Sequence, residues 1–144
     1  MSPGPRSRAL LLPLMVLTVA LGLGSRSAAA RLYLPRFVTD YAGDALWTVM
    51  VYLCLVFVLP RLSLRLAAAG ALGISVLVEL SQLVHTPWLD ALRAHRLGAL
   101  VLGRGFLVSD LFCYAGGAGL AAGLELLRSR RRAVHRPAEP GAHP

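Results

Sequence analysis

Four stretches of this chain, residues 9–24, 41–59, 66–84 and 106–127, are almost free of charge over close to the length of a bilayer span. About 20 apolar residues in a helix cross the hydrocarbon core. A segment there must satisfy its own backbone polar groups, as a helix does. The rest of the composition agrees: 56% of residues are hydrophobic, 15% are charged and the mean hydropathy is +0.63. Soluble domains run at about 45–50% and about 25%. A soluble all-helical domain would need more polar outer faces than these runs supply. The expected fold is therefore all-α, an integral membrane four-helix bundle.

The boundaries follow from the punctuation. Arg6 and Arg8 precede the first run, and Ser25-Arg26-Ser27-Ala28-Ala29-Ala30 follows it. Basic residues, an apolar core and an Ala-x-Ala end can make a cleaved signal peptide. The same residues can make a retained first span that tolerates Pro13. The second is the favoured reading, with residues 1–8 as a cytoplasmic N-terminus. Thr39 or Asp40 is placed to cap the second helix, which should run from Tyr41 to Leu59 and stop at Pro60. The short link 60–65 makes the second and third helices antiparallel neighbours. The third begins with the small residues Ala67 to Gly73, which let helices approach closely in lipid, and should end before Pro87. Residues 85–105 form the longest polar link. Within it Leu97 to Gly103 is apolar but too short to span, and reads as interfacial or re-entrant. Gly119 and Gly123 give the fourth helix a GxxxG face of the kind that joins helices, here into a homo-oligomer. Residues 128–144 carry five arginines and read as a disordered basic tail.

All fifteen basic residues are arginine, and the formal net charge is +8. The arginines are dispersed between apolar segments, with no nucleic-acid-binding signature, so the partner they imply is the membrane. The N-terminus, the 60–65 link and the tail hold nine of them; the other links hold six. The positive-inside rule then puts both termini in the cytoplasm. It gathers Asp40, Asp44, Glu79, Asp90 and Asp110, five of the seven acids, near the outer face. Cys54 and Cys113 lie in apolar runs and read as small reduced hydrophobes.

Glu79 and Asp110 lie within spans, where a carboxylate costs about 2.5–3.5 kcal/mol at mid-depth and faces a partner or a cavity. Ser75, Glu79 and Gln82 share one helical face, as do Asp110, Tyr114 and Gly117. If those faces meet, Glu79 and Asp110 are candidates for an acid/base pair. Around them stands a polar cluster, ligand-binding or structural, of Asp44, Gln82, His85, Asp90, Arg93, Arg96, Arg104 and Tyr114. The arginines can neutralise the acids or hold an anionic head group. The acids can equally serve only to lock four helices together. No HExxH or close His pair calls for a metal, no GxSxG elbow accompanies Ser81 or Ser109, and nothing calls for a cofactor. Three readings remain open: a binding protein for a lipid or other amphiphile, a membrane-embedded enzyme, and a small oligomeric transporter.

Gly43-Asp44-Ala-Leu-Trp47, Glu79-x-x-Gln82 and Leu102-Gly103-x-x-Phe106-x-x-x-Asp110-x-x-x-Tyr114-x-x-Gly117 together resemble a small bacterial integral membrane family, a domain of unknown function (DUF2809). The resemblance covers roughly residues 9–125. It implies a four-helix bacterial inner-membrane protein, with Asp44, Glu79, Gln82, Gly103, Phe106, Asp110, Tyr114 and Gly117 as its matching positions, and it implies no established activity. The Glu-x-x-Gln, Asp and Gly arrangement is similar, more distantly, to VanZ-like proteins, multi-span envelope proteins associated with low-level teicoplanin resistance. A lipid or cell-envelope amphiphile as the ligand is the reading motivated by Arg93, Arg96 and Arg104 beside the apolar 97–103 stretch.

Overall fold

The computed structural model describes residues 6–103 and 106–134, and of Arg96 and residues 132–134 the backbone alone. The fold is all-α. In chain order the described helices are α1 (Arg8–Ser25), α2 (Ala28–Tyr33), α3 (Arg36–Val58), α4 (Leu64–Ser81), α5 (Pro87–Ala94), α6 (Arg96–Leu102) and α7 (Val108–Val134). Four of them, α1, α3, α4 and α7, are long and apolar enough to cross a membrane. The chain is a multi-pass membrane protein.

The centre of the bundle is α3, which packs against α1, α4 and α7, while α4 also packs against α7. Small side chains on α4 make this possible. Ala67, Ala71, Ser75 and Glu79 recur every fourth residue, and all four are fully buried. With so little side chain on that stripe, the neighbouring backbones come close. A matching stripe on α7 runs through Tyr114, Gly117, Ala118 and Ala121. At Gly117 α7 lies close against α3: a Cβ there would collide with the Ala45 carbonyl oxygen. Val51, Tyr52 and Val56 of α3 and Leu11 of α1 complete the core. Midway along, the Thr48 hydroxyl donates to Ser75 Oγ at 3.0 Å, so two buried hydroxyls satisfy each other between α3 and α4. The leucines and valines on the outward faces are exposed, as they should be where lipid tails rather than water cover them.

Several boundaries differ from the sequence expectation. The second span begins at Arg36, not Tyr41, because Pro35 stands at its N-cap with φ −57°. Thr39 is thus inside the helix, its hydroxyl bonded back to the Arg36 carbonyl. The third span starts at Leu64 under Ser63, whose hydroxyl accepts from the Leu66 N–H. It ends at Ser81 rather than Val84. Pro87 does not terminate it but opens α5 in the first turn, where its missing N–H costs nothing. The last long helix begins at Val108, not Phe106, and continues through Arg128–Arg131 to Val134. Residues 128–134, expected in a disordered tail, are therefore helical; residues 135–144 lie outside the described part. The expected 31–44 loop holds the short α2, capped by Ser27, and the apolar run 97–103 folds as the short helix α6.

Candidate functional site

At one end of the bundle the polar groups form two arrangements side by side, one closed and one open. The closed one is built on Glu79. Its Oε1 accepts the Leu107 backbone N–H at 2.8 Å. Its Oε2 accepts the Tyr114 hydroxyl at 2.8 Å and the Gln82 side-chain amide at 2.8 Å. Three donors from two helices and a loop thus meet one carboxylate that is 0% exposed, which is how a buried acid is made tolerable. It also explains the start of α7, since the Leu107 N–H is given to Glu79. Gly103 closes the arrangement. It takes φ +68°, and a Cβ there would strike the Gln82 amide, so this turn is built for glycine.

Arg93, 6% exposed, holds the end of α4. Its guanidinium donates to the Ser81 carbonyl at 2.6 Å and to the Val84 carbonyl at 2.9 Å. A cation on the last carbonyls of a helix is favoured by the helix dipole. These bonds satisfy the carbonyls where α4 stops and tie α5 to it. Asp90 stands 3.5 Å from Arg93 and 3.4 Å from His85, which is largely exposed. Of the two roles open to it, Arg93 takes the structural one, bonding the end of α4 and standing beside the Asp90 carboxylate. Arg104 and the Arg96 side chain lie outside the described residues.

The open arrangement is a cleft of about 280 Å³. Arg26, Asp44, Trp47, Gln82, Asp110 and Tyr114 line it, and the α6 residues Ala99, Leu100 and Val101 form one wall. Arg26 caps the C-terminus of α1 and its guanidinium lies against Gly43, where a Cβ would collide with it. From there Nη2 donates to Asp44 Oδ1 at 2.6 Å, with the two side chains 44% and 19% exposed. Asp110 stands in the first turn of α7, half-buried, and accepts the Ser109 hydroxyl at 3.2 Å.

Of the expected pair, Glu79 and Asp110, only the second opens on the cleft. Glu79 has its oxygens filled and is absent from the cleft walls, whereas Asp44 and Asp110 share the cleft. Gln82 and Tyr114 belong to both arrangements. Phe106 is half-buried beside them in sequence, and Gly117 sits one turn below Tyr114 against α3. Among the described residues no group of three or more His, Cys, Asp or Glu could hold a metal ion.

A second, part-buried polar cluster, at the opposite end, went unread in the sequence. Glu125 of α7 accepts the Tyr52 hydroxyl at 2.6 Å and the Arg6 Nε at 2.8 Å. Arg6 also donates to the Leu62 carbonyl at 2.7 Å and the Pro60 carbonyl at 3.2 Å. The signal was there: Glu125 continues the α7 stripe from Tyr114 through Ala118 and Ala121, and it too is an acid inside an apolar run. Arg26 was also missed as a site residue, having been weighed only as a topogenic charge.

A family model described as "Protein of unknown function (DUF2809)" matches residues 33–118. That stretch holds Asp44, Glu79, Gln82, Gly103, Asp110, Tyr114 and Gly117, and leaves Arg26, Arg6 and Glu125 outside. No solved structure matches the chain.

Proposed function

The chain belongs to the DUF2809 family, and from that premise we propose that it is a VanZ-like bacterial inner-membrane protein that binds a lipid or cell-envelope amphiphile in the cleft. One observation carries this reading. The fold closes Glu79 and the Arg6–Glu125 pair on internal partners, yet leaves Arg26, Asp44 and Asp110 lining an open cleft of about 280 Å³. Charge placed at a span end without a full set of internal partners points to an external one. The volume lies just under the ~300–1,000 Å³ of drug-sized sites, which suits a head group with its chains left outside. The exposed Leu97, Leu100 and Val101 of α6 offer those chains an apolar flank.

The arginine distribution supports cytoplasmic termini and a cleft on the outer side. An alkaline phosphatase fused after Leu97 should be active, and a cytoplasmic fluorescent reporter at the same point dark; the reverse would send the cleft to the cytoplasm and remove envelope ligands from consideration. The binding reading is tested by purifying the Arg26→Gln, Asp44→Asn double variant in mild detergent. It should fold, since the change removes both partners of the pair together and Arg26 is 44% exposed, but lose most of the co-purifying lipid that the parent retains. Equal lipid on both would end the proposal. An enzymatic reading, with one carboxylate as acid and one as base, would have to use Asp44 and Asp110 instead of Glu79 and Asp110.

A further inference from the structure

Resting on that reading, we propose that the cleft takes a zwitterionic head group, with an anionic group on Arg26 and a primary ammonium on Asp110. The described residues of the cleft carry one guanidinium and two carboxylates. Arg26 gives one hydrogen bond to Asp44. Its other N–H groups have no acceptor among the described residues, and its side chain is 44% exposed. An arginine fork keeps enough donors to hold a phosphate or carboxylate while one N–H stays on its intramolecular partner. Among the described residues Asp110 accepts only the Ser109 hydroxyl and has no cation within ion-pair distance. A head group that is purely anionic would bring its charge up against Asp44 and Asp110. One that is purely cationic would meet Arg26. A zwitterion presents each sign to its opposite.

The kind of ammonium also follows from what lines the cleft. A primary ammonium has three donors for a carboxylate such as Asp110. A quaternary ammonium has none and is recognised by aromatic faces. Of the two aromatic residues in the cleft, Tyr114 is 5% exposed with its hydroxyl committed to Glu79, which leaves Trp47 as a single wall and not a cage. The chemistry therefore fits an ethanolamine-type head better than a choline-type one. The same zwitterion could reach the cleft on a phospholipid or as a free aminophosphate.

Native mass spectrometry of the full chain in detergent separates these. The probes are phosphatidylethanolamine, phosphatidylglycerol and phosphatidylcholine with the same acyl chains. The expected result is about a tenfold preference for phosphatidylethanolamine, the order of one charge-assisted hydrogen bond. Asp110→Asn should reduce that lipid to the phosphatidylglycerol level, and Arg26→Gln should weaken all three. Equal binding of the three lipids, lost together in Arg26→Gln, would overturn the zwitterion while leaving amphiphile binding intact. Lipid binding indifferent to both variants would overturn both readings. Soluble phosphoethanolamine provides the remaining arm: displacement of the lipid adduct at millimolar concentration supports the zwitterion and assigns it to a water-soluble ligand. Parallel melting curves guard against misfolding, because Asp110 contributes little to the core and its Asn variant should melt with the parent.

Discussion

The Tyr114 hydroxyl lies 2.8 Å from Glu79 Oε2, a bond that joins the first turns of α7 to the last turn of α4. Both partners are buried, at 5% and 0% exposure, so neither can exchange the bond for water. Tyr114→Phe should cost about 1–3 kcal/mol, the usual penalty for orphaning a buried polar group. The double variant with Glu79→Ala should be no less stable than Glu79→Ala alone by more than about 0.5 kcal/mol, because the phenol then has nothing left to lose. Unfolding in mixed micelles measures both. Additive losses would mean that the two residues act separately.

Gly117 and Gly119 are neighbours in sequence with opposite surroundings. A Cβ at Gly117 would strike the Ala45 carbonyl, whereas one at Gly119 or Gly123 meets nothing within 4 Å. Gly117→Ala should therefore push α7 off α3 and destabilise by about 1–3 kcal/mol. Gly119→Ala should be neutral or slightly stabilising within one chain, since alanine is the better helix former. If the open glycine face joins two copies, Gly119→Leu with Gly123→Leu will shift a cross-linked dimer band to monomer without lowering the melting temperature of the monomer.

Arg93→Gln should loosen one segment and leave the bundle standing. The guanidinium bonds to Ser81 and Val84 are what tie α5 to the end of α4, and α5 otherwise packs on α6. Hydrogen exchange over residues 85–103 should quicken in the variant, while α3 and the first half of α4 keep their protection. Uniform quickening across the chain would show that the arginine holds the whole fold.

At the other end, Tyr52→Phe removes one of the bonds to Glu125 and leaves Arg6 in place. The expected loss is about 1 kcal/mol. Glu125→Ala should cost more, about 1–3 kcal/mol, because it removes the Tyr52 bond and the Arg6 ion pair together and leaves Arg6, 10% exposed, only the Pro60 and Leu62 carbonyls. A Glu125→Ala protein as stable as Tyr52→Phe would place the ion pair in water after all.

Much of this was legible in the residues. The apolar runs marked the four spans, and the i, i+4, i+7 spacing of Asp110, Tyr114 and Gly117 marked the inner face of α7. The Glu79–Gln82 pair named the closed knot. What the spacing could not give was which carboxylate would be consumed by structure. Glu79 is closed off because a loop N–H, from Leu107, comes back to it, and that return depends on the turn at Gly103. Boundaries failed for a related reason. Local signals at Thr39 and Pro87 suggested one start and one stop, but Pro35 and the Arg93 clamp, the second a tertiary contact, set others. Arg26 was read as a topogenic charge because its ion pair with Asp44 spans two helices and an intervening loop, beyond any local pattern.

The two tyrosine–carboxylate bonds have a mechanical consequence. Tyr114 and Glu125 stand about three turns apart on one side of α7, and they are bonded to different helices, α4 and α3. A screw or piston displacement of α7 by one turn, about 5.4 Å, would have to break both joints in the same step and take the Tyr114 hydroxyl from the fully buried Glu79. This helix is pinned like an axle held at both bearings. Two joints about three turns apart thus fix the register of α7 against α3 and α4 along its length.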